Sequence, residues 1–190
     1  MKKATLISLT SVFIIILFSY YNIMHRDNTN FDEDFTFIYI NSSDSIVSTL
    51  DTINQKIKSP KTFLRAAKRM DYTENIKSGR FRVNRGAGNK EIINSLKFNN
   101  TPLTVTFNNQ ERIQDLAGRV SRQILADSIS LLNAFLEKSF LQDNGFDDLN
   151  SMSMYIPNSY EFFWNVEPNE FREKMLDEYN KFWNKDRSEK

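Results

Sequence analysis

The chain opens on a stretch where apolar positions follow one another instead of alternating. From Ala4 to Met24 there is no charged residue, and Val12-Phe13-Ile14-Ile15-Ile16-Leu17-Phe18 is continuously apolar. An α-helix rises about 1.5 Å per residue, so a run of this length covers a hydrocarbon layer about 30 Å thick. The pattern predicts a transmembrane helix over residues 1–25, with Tyr20 and Tyr21 at the interface. Lys2 and Lys3 precede the run, whereas Asp27, Asp32, Glu33 and Asp34 follow it, which predicts a cytoplasmic N-terminus and an extracytoplasmic bulk. A cleaved signal peptide is the competing reading, but Tyr20-Tyr21-Asn22-Ile23-Met24 offers no small-residue cleavage site.

Beyond a polar tether at 26–34 the periods change. Phe35-Thr36-Phe37-Ile38-Tyr39-Ile40 is aromatic and β-branched and predicts a strand. Asn41 to Asp44 supply helix caps, and Ile46, Leu50, Ile53 and Ile57 then recur at helical spacing. Ser59-Pro60 starts another helix, with Phe63, Leu64, Ala67 and Met70 on one face. Arg80-Phe81-Arg82-Val83 alternates as a strand and completes a β-α-α-β unit. Gly86 and Gly88 read as a turn into a short helix bearing Ile92, Ile93 and Leu96; their spacing fits no phosphate-binding fingerprint.

A second β-α-α-β pattern follows. Leu103-Thr104-Val105-Thr106-Phe107 alternates strictly, one helix carries Ile113, Leu116, Ala117, Val120 and Ile124, and Asp127-Ser128 caps the next. Tyr155-Ile156-Pro157 reads as a strand end. A last helix starts near Pro168 with Phe171, Met175, Tyr179 and Phe182 as its apolar stripe, before a polar end at 184–190.

Composition narrows the chemistry. There are 25 Lys and Arg against 24 Asp and Glu, and without Lys2 and Lys3 the remainder is nearly neutral. No basic field exists to attract nucleic acid. With no cysteine and one histidine, His25, disulfides, thiolate catalysis, a Ser-His-Asp triad and a multi-histidine metal site are excluded, and no cofactor or metal is expected. Any chemistry falls to carboxylates, hydroxyls, Lys, Arg or Tyr.

Two motifs carry a family resemblance. Ser78-Gly79-Arg80-Phe81-Arg82-Val83-Asn84-Arg85-Gly86, followed by Ile92, Ile93 and Leu96, resembles the "SG-x-Y-x-(I/V)…I-I-x-x-L" pattern of endolytic murein transglycosylases, the YceG-like proteins. Met154-Tyr155-Ile156-Pro157-Asn158-Ser159-Tyr160-Glu161 resembles that family's "(L/Y)-(F/I)-P-(D/N)-(T/S)-Y" segment. The resemblance implies an α+β chain: a membrane anchor at 1–25, a tether at 26–34, a LysM-like β-α-α-β subdomain at 35–100 and the N-terminal part of a transglycosylase domain at 101–190. It implies cleavage within nascent peptidoglycan to 1,6-anhydromuramic ends, in the cytoplasmic membrane. The implied partners are glycan strands and cell-wall synthases, without nucleic acid.

The family's catalytic glutamate belongs to an "ASI-x-E-x-E-T"-like segment that nothing in this sequence matches. It is expected beyond Lys190, leaving this chain inactive alone. The alternative is a non-catalytic peptidoglycan-binding or assembly module.

Within the chain, Glu161 lies among Tyr160, Phe162, Phe163 and Trp164 and is the local candidate for a site acid, since an apolar pocket raises a carboxyl pKa. A structural or cleft role for it is the stronger reading. Tyr160, Glu161 and Trp164 are the glycan-binding candidates. Nine aromatics fall between Tyr155 and Trp183, but Phe171, Tyr179 and Phe182 have the spacing of a helix core face.

Overall fold

The computed structural model describes residues 2–183, with side chains from residue 9. The side chains of Lys2 and Lys3 and the polar end at 184–190 therefore lie outside the described residues. The chain divides into two units, Met1–Thr101 and Pro102–Lys190.

In the first unit, helix α1 (Lys2–His25) leads to strand β1 (Phe35–Ile40), helices α2 (Ile46–Asn54) and α3 (Pro60–Arg69), strand β2 (Gly79–Asn84) and helix α4 (Asn89–Phe98). The β-α-α-β order closes as an antiparallel pair, with Phe35 opposite Asn84, Phe37 opposite Arg82 and Tyr39 opposite Arg80. Alternation then sorts the side chains. Ile38, Ile40, Phe81 and Val83 face inward onto Ile53, Phe63, Ala66, Ile92, Ile93 and Leu96, whereas Phe35, Tyr39, Arg82 and Asn84 stay exposed.

The expected membrane span is overturned. Among the described residues no helix is long and apolar enough to cross a membrane. The single-pass architecture and inner-membrane localisation read from residues 1–25 lose their basis with it. Two features account for the difference. Thr10, Ser11, Ser19 and Asn22 dilute the run. Its last turn is also committed to the first unit: Met24 is buried in that core, Ile23 packs against it, and the Ile23 carbonyl accepts a 2.6 Å bond from Asn89 Nδ2.

Residues 26–34 are likewise fastened down. Asn28 N–H donates to the Ala87 carbonyl at 3.0 Å, Asn30 N–H to Lys56 at 2.9 Å, and Lys58 N–H to Asn28 at 2.9 Å. The buried Asn28 side chain donates to Asn89 Oδ1 at 2.7 Å and accepts from Ser59 N–H at 2.7 Å. The two glycines of the following turn have separate reasons. Gly86 has φ +81°, the left-handed region, while a Cβ on Gly88 would sit 2.7 Å from the His25 carbonyl carbon.

The second unit runs β3 (Leu103–Phe107), α5 (Ile113–Ser121), α6 (Ser128–Phe135), α7 (Lys138–Asp143), a 3-10 turn (Ser151–Met154), β4 (Asn158–Phe162) and α8 (Pro168–Phe182). β3 and β4 pair antiparallel, Val105 opposite Tyr160 and Thr104 opposite Glu161. Asp127 caps α6 by accepting from Ile129 and Ser130 N–H at 2.8 and 2.9 Å. Leu116, Val120, Leu131, Phe135, Phe171 and Met175 form the centre of this core. α7 adds a helix to the expected β-α-α-β order. The last strand also starts at Asn158, three residues after Tyr155, because Tyr155 itself turns into the core against Phe135 with ring centroids 4.6 Å apart.

Candidate functional site

Two concave surfaces, one in each unit, lie beside the two sequence motifs. In the first unit a groove of about 680 Å³ runs along the edge of β2 that faces away from β1. The edge is open for a specific reason. Asn100 forms a bridge with Phe81, and Thr101 N–H donates to the Arg80 carbonyl at 2.7 Å, so the chain covers only the start of that edge. The register at this end depends on Gly79, where Asn100 Oδ1 accepts from Arg80 N–H at 3.0 Å in the space a Cβ would take. Further along, the Ser95 hydroxyl donates to the Arg82 carbonyl, and α4 forms the opposite wall. The lining includes Asn84, Asn94, Asn99, Ser95 and Thr101, with Arg82 and Glu91 as its charged members. Amides and hydroxyls that both donate and accept suit a ligand rich in hydroxyl groups.

In the second unit a cleft of about 400 Å³ lies where the chain enters β4. Ile156, Pro157, Met152 and Tyr179 line it, Phe182 and Trp183 sit half-exposed at the end of α8, and Asn109 and Gln110 supply amides. Flat apolar faces beside a few amides suit sugar rings, whose C–H faces are apolar and whose hydroxyls need partners.

The sequence candidates are placed separately. Tyr160 points inward, 8 % exposed, stacked on Phe107 at 5.7 Å, and its hydroxyl donates to the Ile156 carbonyl at 2.6 Å. Burial, with Glu178 adding to it, raises its pKa. Glu161, the next residue along the strand, therefore points to the opposite face and is exposed; its carbonyl accepts from Lys174. Trp164 is half-buried in the turn before α8, where its carbonyl accepts from Leu125 N–H at 2.8 Å. Of the same motif, Ile156 and Pro157 reach the cleft. Sequence reasoning passed over Asn109, Gln110 and the groove asparagines, since isolated amides carry no periodic signal.

Three carboxylates among the described residues have a displaced pKa, and all three move down. Lys58 and the Thr29 N–H hold Asp27 at about 2. Ser130 and Ile129 lower Asp127, and Arg172 lowers Glu137. A general acid needs the opposite shift. No group of three or more His, Cys, Asp or Glu that could hold a metal occurs among the described residues.

The fold and clefts thus define an α+β protein of two units, each with a concave surface that carries asparagine or glutamine side chains. The YceG-like family model matches residues 38–190, and the chain belongs to that family, known for murein transglycosylases. No curated protein matches the chain. Among solved structures it is similar to a YceG-like protein of Listeria monocytogenes, lmo1499, at 15 % identity and a TM-score of 0.43. That similarity covers 83 % of this chain and 58 % of the Listeria chain, so the chain spans little more than half the length of that relative.

Proposed function

We propose that this protein acts on murein glycan strands as a lytic transglycosylase, and that the stretch described here supplies strand recognition. The family match over 38–190 carries this reading. It is supported by the amide-lined groove of the first unit and the aromatic-and-amide cleft of the second. In such a reaction an acid protonates the glycosidic oxygen. The same group, now a base, then draws the proton from the muramoyl 6-hydroxyl as it closes the 1,6-anhydro ring.

The second reading, glycan binding without cleavage by these 190 residues, is favoured by one observation. Glu161, the local acid candidate, stands exposed on the strand instead of in an apolar pocket. Both readings meet in one experiment. Purified chain is incubated with murein glycan strands, and binding and 1,6-anhydro ends are measured together. The expected result is binding without product. Absence of binding would remove glycan recognition from this chain, and product formation would remove the second reading.

A further inference from the structure

The outer face of the β1–β2 pair takes no part in the core. It presents Phe35, Phe37 and Tyr39 from one strand and Arg80, Arg82 and Asn84 from the other. Phe35 and Tyr39 are 39 % and 43 % exposed, so this face of the pair is open to solvent. Each arginine leans one step along the register onto a ring of the neighbouring strand. The Arg80 guanidinium lies 3.5 Å from the Phe37 centroid, and that of Arg82 lies 4.0 Å from the Phe35 centroid.

This arrangement decides between ligand chemistries. A ring face covered by a guanidinium is closed to a sugar, so Phe35 and Phe37 are not stacking platforms. A guanidinium lying flat on a ring still directs its N–H fork outward in its own plane, the geometry that grips a carboxylate with two parallel bonds. Arg82 has one hydrogen bond of its own, from Nε to Asn84 Oδ1 at 3.2 Å. None of the six outward residues is acidic.

The surrounding charge agrees. Met1–Thr101 carries 15 Lys and Arg against 9 Asp and Glu, whereas Pro102–Lys190 carries 10 against 15. The chain's near-neutral total conceals a cationic first unit. Arg82 also lines the groove along the β2 edge, so the strip and the groove share a residue.

We propose that this Phe–Arg strip docks the carboxylate-bearing peptide arms of the murein strand whose glycan lies in the neighbouring groove. The inference rests on the glycan reading above and adds to it. Sugar hydroxyls meet Asn94, Asn99 and Thr101, while a peptide carboxylate meets Arg82.

The test compares binding of the full chain to three probes: soluble murein oligomers with their peptides, the same oligomers stripped by an amidase, and an unrelated Glu-rich peptide. Intact oligomers should bind about tenfold more tightly than stripped ones, the size of one charged hydrogen bond. Added salt should erase the difference. Arg82→Gln should bring intact oligomers down to the affinity that the same variant shows for stripped ones.

Equal wild-type binding of intact and stripped oligomers would overturn the inference while leaving the glycan reading standing, whatever the variant does. An Arg82→Gln variant that still holds intact oligomers about tenfold more tightly than stripped ones would show that Arg82 meets only sugar and likewise overturn it. Binding of neither oligomer would sink both. Tight, Arg82-dependent binding of the Glu-rich peptide alone would make the strip a protein-docking surface instead.

Discussion

Asn100 Oδ1 lies 2.7 Å from where a Cβ on Gly79 would stand. The same oxygen accepts the Arg80 N–H, so the amide fills the place of the missing side chain and fixes the chain's return beside β2. Gly79 also has φ +153°, inside the range that L side chains rarely adopt. Gly79→Ala must therefore displace the amide and strain the backbone, at about 1–3 kcal/mol. A urea midpoint shifted down at constant slope is the expected result; an unchanged midpoint would refute the close-approach argument.

Asn28 is the hub between the segment after α1, the start of α3 and the start of α4. Its side chain satisfies Ser59 N–H and Asn89 Oδ1 while 3 % exposed. Asn28→Ala leaves the buried Asn89 oxygen and the half-buried Ser59 N–H without this partner, and about 1–3 kcal/mol of stability should disappear. Hydrogen exchange should show faster opening at Ser59 and Asn89, with little change in the core of the second unit.

Arg172 is 4 % exposed, yet its partner Glu137 is half-exposed. Its Nη1 donates to the Ala134 carbonyl at 2.8 Å and to Glu137 Oε2 at 2.5 Å, while the guanidinium lies 3.6 Å from the Phe140 centroid. The arginine thus ties α8 to the end of α6 by more than its charge. Arg172→Ala should cost about 2–4 kcal/mol, and Glu137→Gln, which keeps the stacking and the carbonyl bond, clearly less. Equal losses in thermal melts would show that the ion pair alone carries the contact.

Asp27 gives an acid-limb prediction. Lys58 Nζ stands 2.5 Å from its carboxylate, and Thr29 donates from both N–H and hydroxyl at 2.9 and 2.8 Å. These bonds hold the folded pKa at about 2, below the ordinary 3.8. A depressed folded pKa adds stability that is present above the unfolded value and lost as pH falls through the folded one. The advantage of wild type over Asp27→Asn should therefore be level above about pH 5 and be lost as pH falls through about 2. It should be small, about 1 kcal/mol or less, because both partners are substantially exposed. Melting temperatures recorded against pH for the two proteins check this, and an advantage that grows toward low pH would contradict it.

Much of the secondary structure is legible in the residues. The strict alternation of Leu103–Phe107, the capping Asp127 and the stripe from Phe171 to Met175 all survive folding, because each is a local pattern with a buried face. What local patterns miss is where distant segments meet. The apolar run of α1 looks uniform in the sequence, but its last turn belongs to a core completed by Ile92 and Ile93, far along the chain. The groove exists only because Asn100 returns to Phe81 and leaves the rest of the β2 edge open. The neighbouring Tyr160 and Glu161 seemed to share one aromatic setting, and strand alternation sends them to opposite faces.

One last consequence comes from Gly88 and Asn89. The first lets the α4 backbone press against His25, and the second grips the Ile23 carbonyl, so α1 leaves its unit from a clamped socket. The element that walls the β2 groove also seats the helix, so a side chain at position 88 would have to shift one against the other.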